Sequence, residues 1–210
     1  MSFLGYEDIE PTAKSIGAPP TGTRPDGVTA RYTVPIIYDS DKDVAISDSI
    51  LIAEYLDAEY PNTPSVLPSN TRSLHAAFAD VIFGKFRPII PVLGPKSRSF
   101  MSQQLVDGQK KAYGEAAVSW ALTPEQEAAA WKETRLNFYQ MEAWYAEGKL
   151  YIMGDELSHG DFTIAAMLWW IKEFAGSDTT EWAEASSWAG GRAGKLMDVI
   201  EGLDNMQVLS

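Results

Sequence analysis

The chain contains no cysteine among its 210 residues and only two histidines, His75 and His159. The absence of cysteine excludes disulfides, thiolate metal ligands and a cysteine nucleophile supplied by the protein. The two histidines lie far apart in the sequence, so we expect no metal site. We interpret both of them as surface residues or residues of a helix-capping turn.

Basic residues are also few: 17 lysines and arginines stand against 29 acidic residues, which gives a net charge of -12. Such a surface repels phosphate groups, so we expect neither nucleic acid nor an anionic membrane as a partner. The longest apolar run, 162–171, is too short to span a bilayer. The first ten residues, MSFLGYEDIE, lack the basic and apolar regions of a signal peptide. We therefore expect a cytoplasmic protein.

The first third of the chain has the pattern of a small α/β unit. Residues 8–17 predict a short helix, and the proline- and glycine-rich APPTGTRPDG that follows predicts a loop. Residues 31–39 and 43–47 are β runs joined by a polar turn, which is typical of a hairpin. Residues 48–60 then predict an amphipathic helix.

The rest of the chain indicates helices only. The segment PNTPSVLPSN carries three prolines and separates the two parts. We therefore predict an α/β domain over 1–62 and an all-α domain over 63–210.

Two helix starts in the second part have capping-box patterns. Thr123 with Gln126 begins a helix that we expect to extend to Gly148. Ser158 with Asp161 begins a second helix, FTIAAMLWWI, whose apolar residues on nearly all sides predict a central buried helix. We interpret Ser158 and Asp161 as structural.

Asp48 and Ser49 stand at the start of the helix over 48–60. A helix N-terminus attracts a carboxylate, a serine hydroxyl adds a donor, and an aspartate attracts an ammonium. The pair thus fits the zwitterionic end of an α-amino acid. The alternative interpretation is that Ser47 or Asp48 is only an N-cap.

Val34-Pro35 opens the first β run at a proline, which removes a donor from the strand ladder. If the bond is cis, the N–H and C=O of Val34 are able to pair with an extended peptide. The alternative is a trans proline at the start of an edge strand, which base rates favour.

Together, TVPII, the hairpin, SDSILIAEYL and the YP before the proline-rich linker resemble the glutathione-binding half of the glutathione transferases. YIMGDELSHGDFTIAAMLWW resembles the capping-box helix in the second domain of that family. The segments DIEPTAKSIGA, YLDAEYP and SWAGGR are most similar to the fungal etherase-related class and, more distantly, to bacterial β-etherases.

The resemblance implies a thioredoxin-like domain followed by an all-helical domain, with glutathione as co-substrate. It implies that Val34 pairs with the cysteinyl part of glutathione beside a cis Pro35, and that Asp48 and Ser49 hold the γ-glutamyl end. Family members are commonly homodimers. The second domain would supply a pocket for a hydrophobic electrophile, for which the candidate residues are Phe78, Ile82 and Phe86. The alternative interpretation of this aromatic stripe is a helix core.

We assign no catalytic residue. In the family, a first strand and first helix carry the group that stabilises the glutathione thiolate, and only seven residues precede Asp8 here. A strand, helix and strand need about 30 residues, so we expect that this first strand and helix are lacking. The apolar edge at 33–38 would then be exposed. The alternative is that Ser2, Tyr6 or Tyr32 replaces the usual donor.

Two functions follow as hypotheses. One is a glutathione transferase that substitutes or conjugates glutathione at aromatic or ether electrophiles. The other is a non-catalytic binder of hydrophobic aromatic ligands on the same scaffold.

Overall fold

We analysed the chain in a computed structural model that describes residues 5–98, 101–115 and 122–206. The described strands are short: β1 Gly22–Thr23, β2 Ala30–Arg31, β3 Ile36–Asp39 and β4 Val44–Ser47. The described α-helices are α1 Ile9–Ser15, α2 Ser49–Glu59, α3 Arg72–Phe86, α4 Ile90–Ser97, α5 Gln103–Tyr113, α6 Pro124–Met141, α7 His159–Ala175, α8 Thr180–Ser186 and α9 Trp188–Met206. Within the described ranges no helix is long and apolar enough to cross a membrane.

The structure divides into two compact units. The first comprises Met1–Pro64 and Gly94–Ala121, and the second comprises Ser65–Leu93 and Leu122–Ser210, as far as these ranges are described. The first unit thus includes α5 as well as the four strands, so it is larger than the α/β segment that the sequence pattern delimits.

The hairpin of the first unit forms as predicted. Strands β3 and β4 pair antiparallel, with Ile36 opposite Ser47 and Asp39 opposite Val44. The Asp39 carboxylate accepts hydrogen bonds from the N–H groups of Asp41 and Lys42 at 3.0 and 3.2 Å. An aspartate that binds the backbone of its own turn is a common way to close such a loop.

The prediction that residues 31–39 form one continuous β run is wrong. Strand β2 ends at Arg31 and β3 begins at Ile36, and the residues between them lie outside the ladders. Pro35 has no N–H to donate, so the run is interrupted there. Strand β2 pairs with β1, which lies in the segment predicted to be a loop.

Helix α6 begins at the predicted capping box but ends early. The N–H of Thr123 donates to Gln126 and the N–H of Gln126 donates to the Thr123 hydroxyl, at 2.9 and 3.3 Å. The helix ends at Met141, not at Gly148. Arg192 binds the Glu142 carboxylate at 2.6 Å and also donates to the backbone carbonyl of Lys149, so tertiary contacts support a turn in this stretch.

The core of the second unit forms around α7, which packs against α3, α8 and α9. One stripe of α7 is buried, including Ile164, Leu168 and Ile171. Helix α7 is central and largely buried, as predicted, although one apolar residue of it, Trp169, is 51% exposed. Large side chains from the other helices complete the core: Phe86, Leu93, Phe138, Met141, Trp188 and Leu196.

The interpretation of the histidines as residues of the surface or of a helix-capping turn is wrong for His75, and neither histidine lies on the surface. His75 on α3 and His159 at the start of α7 are 4% and 6% exposed, and their ring centroids lie 6.0 Å apart. His159 does belong to the capping turn, directly after Ser158. Its N–H donates to the carbonyl of Val66 at 2.8 Å, which anchors the proline-rich segment to α7.

Candidate functional site

The two motifs of the first unit meet at one end of the β3–β4 hairpin. Val34-Pro35 directly precedes β3, and Asp48-Ser49 directly follows β4. Because Ile36 stands opposite Ser47 in the hairpin register, the chain segments flanking these residues are brought side by side. The N–H of Asp48 donates to the carbonyl of Pro35 at 3.3 Å, so the two motifs are in direct backbone contact.

Both the side chain and the backbone polar groups of Val34 are accessible to a ligand. The Val34–Pro35 bond is cis, as the resemblance implies. The residue is 60% exposed. Within the described ranges, the N–H and C=O of Val34 have no hydrogen-bond partner. A backbone donor and acceptor of this kind can bind an extended peptide.

Asp48 is the N-cap of α2. Its Oδ1 accepts hydrogen bonds from the N–H groups of Ile50 and Leu51, at 2.9 and 3.4 Å. Its φ is 82°, a left-handed value that aspartate and asparagine tolerate better than most residues. The other oxygen, Oδ2, has no hydrogen bond to any described residue. The capping role therefore uses one oxygen of an exposed carboxylate and leaves the second for a ligand cation.

Ser49 is the first residue of α2 and is exposed. The first backbone N–H groups of a helix carry a partial positive charge. An exposed hydroxyl in this turn and the neighbouring carboxylate form a surface that can bind an ammonium and a carboxylate together.

The hairpin is fixed to α2 through Asp39. Its Oδ2 accepts hydrogen bonds from the hydroxyls of Tyr55 and Tyr60, at 2.5 and 3.3 Å. The Tyr55 hydrogen bond holds the pKa of Asp39 below its usual range, and the same bond raises the pKa of Tyr55. These contacts position the helix against the strands that flank the two motifs.

The three residues predicted to line a substrate pocket lie in the second unit on α3. Ile82 and Phe86 are 0% and 1% exposed within the hydrophobic core. Phe78 is partly buried, and its ring lies 5.7 Å from the Trp144 ring, centroid to centroid. This burial favours the core interpretation for Ile82 and Phe86.

Ser158 and Asp161 form the predicted capping box and are both fully buried. Burial raises the pKa of Asp161, and hydrogen bonds from the Ile152 N–H and from Ser158 oppose that rise. The three donors to Asp161, which are the Ile152 N–H, the Ser158 N–H and the Ser158 hydroxyl, all come from the protein itself. This is consistent with a structural role.

A cavity of about 660 Å³ in the first unit was not predicted from the sequence. It is lined by Tyr6, Arg31, Tyr32 and Val34, among others, and by residues of α5. The stretch RYTV at 31–34 could have indicated part of this cavity, because it places a cation and an aromatic ring next to the Val-Pro motif. No local pattern in the sequence indicated that α5 would contribute to the lining.

Known proteins resemble the chain in both sequence and structure. Residues 73–203 match the family described as the glutathione S-transferase C-terminal domain. None of the curated proteins matches the chain significantly.

Three similar solved structures come from fungi. A glutathione S-transferase of Ceriporiopsis subvermispora, in complex with glutathione, is 35% identical with a TM-score of 0.84, over 96% of this chain and 82% of its own. A second one from that organism, also in complex with glutathione, is 31% identical with a TM-score of 0.85, over 96% and 84%. A glutathione transferase of Phanerochaete chrysosporium is 27% identical with a TM-score of 0.78, over 94% and 80%.

These matches agree with the architecture predicted from the sequence. The chain has short-stranded sheets in its N-terminal region followed by a helical C-terminal domain, which is the fold of these transferases. The family match covers more than half of the chain, and the similarity extends over nearly all of it. The chain therefore belongs to the glutathione S-transferase family.

Proposed function

We propose that the first unit binds glutathione at Val34, Pro35, Asp48 and Ser49. The observation that carries the proposal is the hydrogen bond from the Asp48 N–H to the Pro35 carbonyl, which joins the two motifs into one surface. Two similar fungal transferases are in complex with glutathione, which supports the same ligand here.

Each residue has a distinct role in this proposal. The N–H and C=O of Val34 pair with the cysteinyl residue of glutathione as a short added strand. Oδ2 of Asp48 binds the γ-glutamyl ammonium, while Ser49 and the start of α2 bind the γ-glutamyl carboxylate. The thiol would then lie near the start of β3.

The proposed reaction is attack by the glutathione thiolate on an electrophilic carbon of an aromatic or ether substrate. The new bond joins sulfur to carbon, and a leaving group departs with the electron pair in the substitution reaction. The segments DIEPTAKSIGA, YLDAEYP and SWAGGR support the etherase-related class. A free thiol has a pKa near 8.5 and is mostly protonated at neutral pH, so a thiolate-stabilising group is needed.

We assign no residue to that group. The expectation that a preceding strand and helix carry it stays a prediction, which mapping the 5′ end of the transcript would test. A homodimer, a cytoplasmic location and a hydrophobic pocket in the helical domain also stay predictions.

Asp48→Asn tests the glutathione site while it preserves the helix cap. Asparagine keeps an acceptor for the Ile50 N–H and caps helices as well as aspartate does, so the free energy of unfolding should change by no more than about 0.5 kcal/mol. The variant lacks the negative charge that binds the ammonium. Glutathione affinity, measured by calorimetry, should fall by about tenfold or more. Ser49→Ala should weaken binding by about 1–3 kcal/mol.

Asp43→Asn is the matched control. Asp43 is also an exposed aspartate with positive φ, 53°, but it lies in the hairpin turn and accepts a hydrogen bond from Tyr38. Its glutathione affinity should equal that of the wild type. Wild-type affinity in both Asp48→Asn and Ser49→Ala would leave these residues with the capping role alone.

The second hypothesis, a binder without turnover, is favoured by the cavity in the first unit. If the protein is a transferase, it should convert a chromogenic aryl halide or a β-aryl ether in the presence of glutathione. If it is a binder, an aromatic ligand should shift its melting temperature and no substrate should be converted.

A further inference from the structure

The proposed glutathione site has two halves that lie on different elements of the first unit. Val34 directly precedes β3, whereas Asp48 and Ser49 stand at the start of α2. The hydrogen bond from the Asp48 N–H to the Pro35 carbonyl, at 3.3 Å, joins the two halves. The distance between them therefore depends on how α2 lies against the hairpin.

The far end of the hairpin is attached to α2 through side chains. Asp39 is the last residue of β3 and lies at the turn end of the hairpin, away from the site. Tyr55 lies six residues after Ser49, about 9 Å further along α2. Its hydroxyl donates to Oδ2 of Asp39 at 2.5 Å, and the Tyr60 hydroxyl donates to the same oxygen at 3.3 Å. Helix α2 is thus joined to the hairpin by the chain itself at the site end and by Asp39 at the turn end.

Asp39 is also fixed on its own side of this contact. Its Oδ1 accepts hydrogen bonds from the N–H groups of Asp41 and Lys42, so one carboxylate closes the turn and binds the helix. Lys42 forms a second link, an ion pair of 2.7 Å with Glu59 of α2. Both side chains of that pair are partly exposed to solvent, so we expect it to contribute less than the hydrogen bonds to Asp39.

The protonation states at neutral pH favour the Asp39–Tyr55 contact. The hydrogen bond to Asp39 raises the pKa of Tyr55, and the same bond holds the pKa of Asp39 below its usual range. The hydroxyl therefore stays protonated as a donor, and the carboxylate stays ionised as an acceptor. A hydrogen bond to an ionised acceptor is stronger than one between neutral groups.

We propose that the Asp39–Tyr55 contact sets the distance between the two halves of the glutathione site and thereby the affinity of the site for glutathione. Both are positioning residues, because they act through the start of α2 from the opposite end of the hairpin. A ligand that spans two elements binds more weakly when those elements must be ordered on binding, and the contact orders them beforehand. The inference rests on the proposed function and deepens it.

Tyr55→Phe is the test, because it removes one hydroxyl and leaves the turn hydrogen bonds of Asp39 in place. We expect the affinity of the full chain for glutathione, measured by calorimetry, to fall roughly three- to tenfold, which corresponds to the loss of about one hydrogen bond.

Tyr38→Phe is the matched control. The Tyr38 hydroxyl also donates to an aspartate, Asp43, at 2.6 Å, but both residues belong to the hairpin and the bond does not reach α2. This substitution should leave the affinity for glutathione unchanged.

Two further measurements separate positioning from a general loosening of the fold. If Tyr55 acts through the half of the site at Asp48, then Tyr55→Phe should have little further effect in the Asp48→Asn background, whereas general loosening would lower the affinity by the same factor in both backgrounds. In the NMR spectrum of the free protein, the amide signals of Asp48 and Ile50 should shift in Tyr55→Phe and stay in place in Tyr38→Phe.

The outcomes distinguish this inference from the proposed function. If Asp48→Asn weakens glutathione binding but Tyr55→Phe has wild-type affinity, the inference alone is overturned. Equal losses in Tyr55→Phe and Tyr38→Phe, the same loss in both backgrounds, or unshifted Asp48 and Ile50 amide signals would overturn it as well. If the wild type does not bind glutathione, the proposed function is wrong and the inference is wrong with it.

Discussion

Asp161 accepts two hydrogen bonds from Ser158, one from its N–H at 2.9 Å and one from its hydroxyl at 2.8 Å. The other carboxylate oxygen accepts from the Ile152 N–H at 2.8 Å. Both residues of the box are fully buried. The box therefore fixes the start of α7 and also holds the chain segment before it.

The buried capping box of α7 should contribute more to the free energy of unfolding than the exposed capping box of α6. Asp161→Ala leaves the Ser158 and Ile152 donors unsatisfied in the interior, and we expect it to lower the free energy of unfolding by about 2–4 kcal/mol. Thr123→Ala in the exposed box of α6 should cost about 1 kcal/mol. Urea denaturation of the two variants gives the comparison, and equal losses would contradict a special role of burial.

Gly160, between the two residues of that box, has no room for a side chain. A Cβ there would lie 2.9 Å from Cγ2 of Ile152 and 3.2 Å from the Phe78 ring. Gly160→Ala should destabilise the protein by roughly 1–3 kcal/mol through overpacking. Gly84 is the control, because it lies on the exposed side of α3 with nothing within 4 Å of such a Cβ.

Gly84→Ala should raise the free energy of unfolding by up to about 1 kcal/mol, since alanine favours the helix. Opposite signs for the two substitutions are expected in thermal or urea unfolding. A neutral Gly160→Ala would mean that Ile152 and Phe78 move aside without loss of packing.

Features set by residues close in sequence were predictable, whereas features set by distant contacts were not. Both capping boxes depend on side chains three positions apart, and both form as predicted. The hairpin turn depends in the same way on Asp39 and the two residues after it.

The errors have a common cause in tertiary structure. The end of α6 depends on Arg192, about 50 positions away, and the burial of His75 depends on α7. Strand β2 pairs with β1 in a segment whose composition favours a loop. In the candidate site, Val34-Pro35 and Asp48-Ser49 could be named because each is a short local motif, while the cavity needs α5 and could not be found.

Burial of His75 predicts a pH-dependent stability. Burial lowers its pKa below the model-peptide value of 6.5, and the charge of Asp161 only partly opposes this. The folded state therefore favours the neutral ring. Its contribution to stability is present above pH 6.5 and is lost as the pH falls through 6.5 toward the lower folded pKa.

The measurement is the urea midpoint of the wild type and of His75→Gln between about pH 8 and about pH 5. The wild type should lose more stability than the variant below about pH 6.5, because glutamine does not titrate. His159, which contacts His75, is present in both proteins, so the difference between them reports on His75. Parallel curves would show that His75 is not the titrating group.

Phe86 and Phe83 on α3 separate a core role from a surface role within one helix. Phe86 is 1% exposed and packs edge-to-face against Phe138 with a centroid distance of 6.2 Å, whereas Phe83 is 55% exposed. Phe86→Leu should lower the free energy of unfolding by about 1–2 kcal/mol because buried ring contacts are lost. Phe83→Leu should change it by no more than about 0.5 kcal/mol. If Phe86 instead lines a substrate pocket, its substitution will raise KM for an aryl substrate while the free energy of unfolding stays nearly unchanged. That result would support the substrate-pocket role predicted for Phe86 from the sequence.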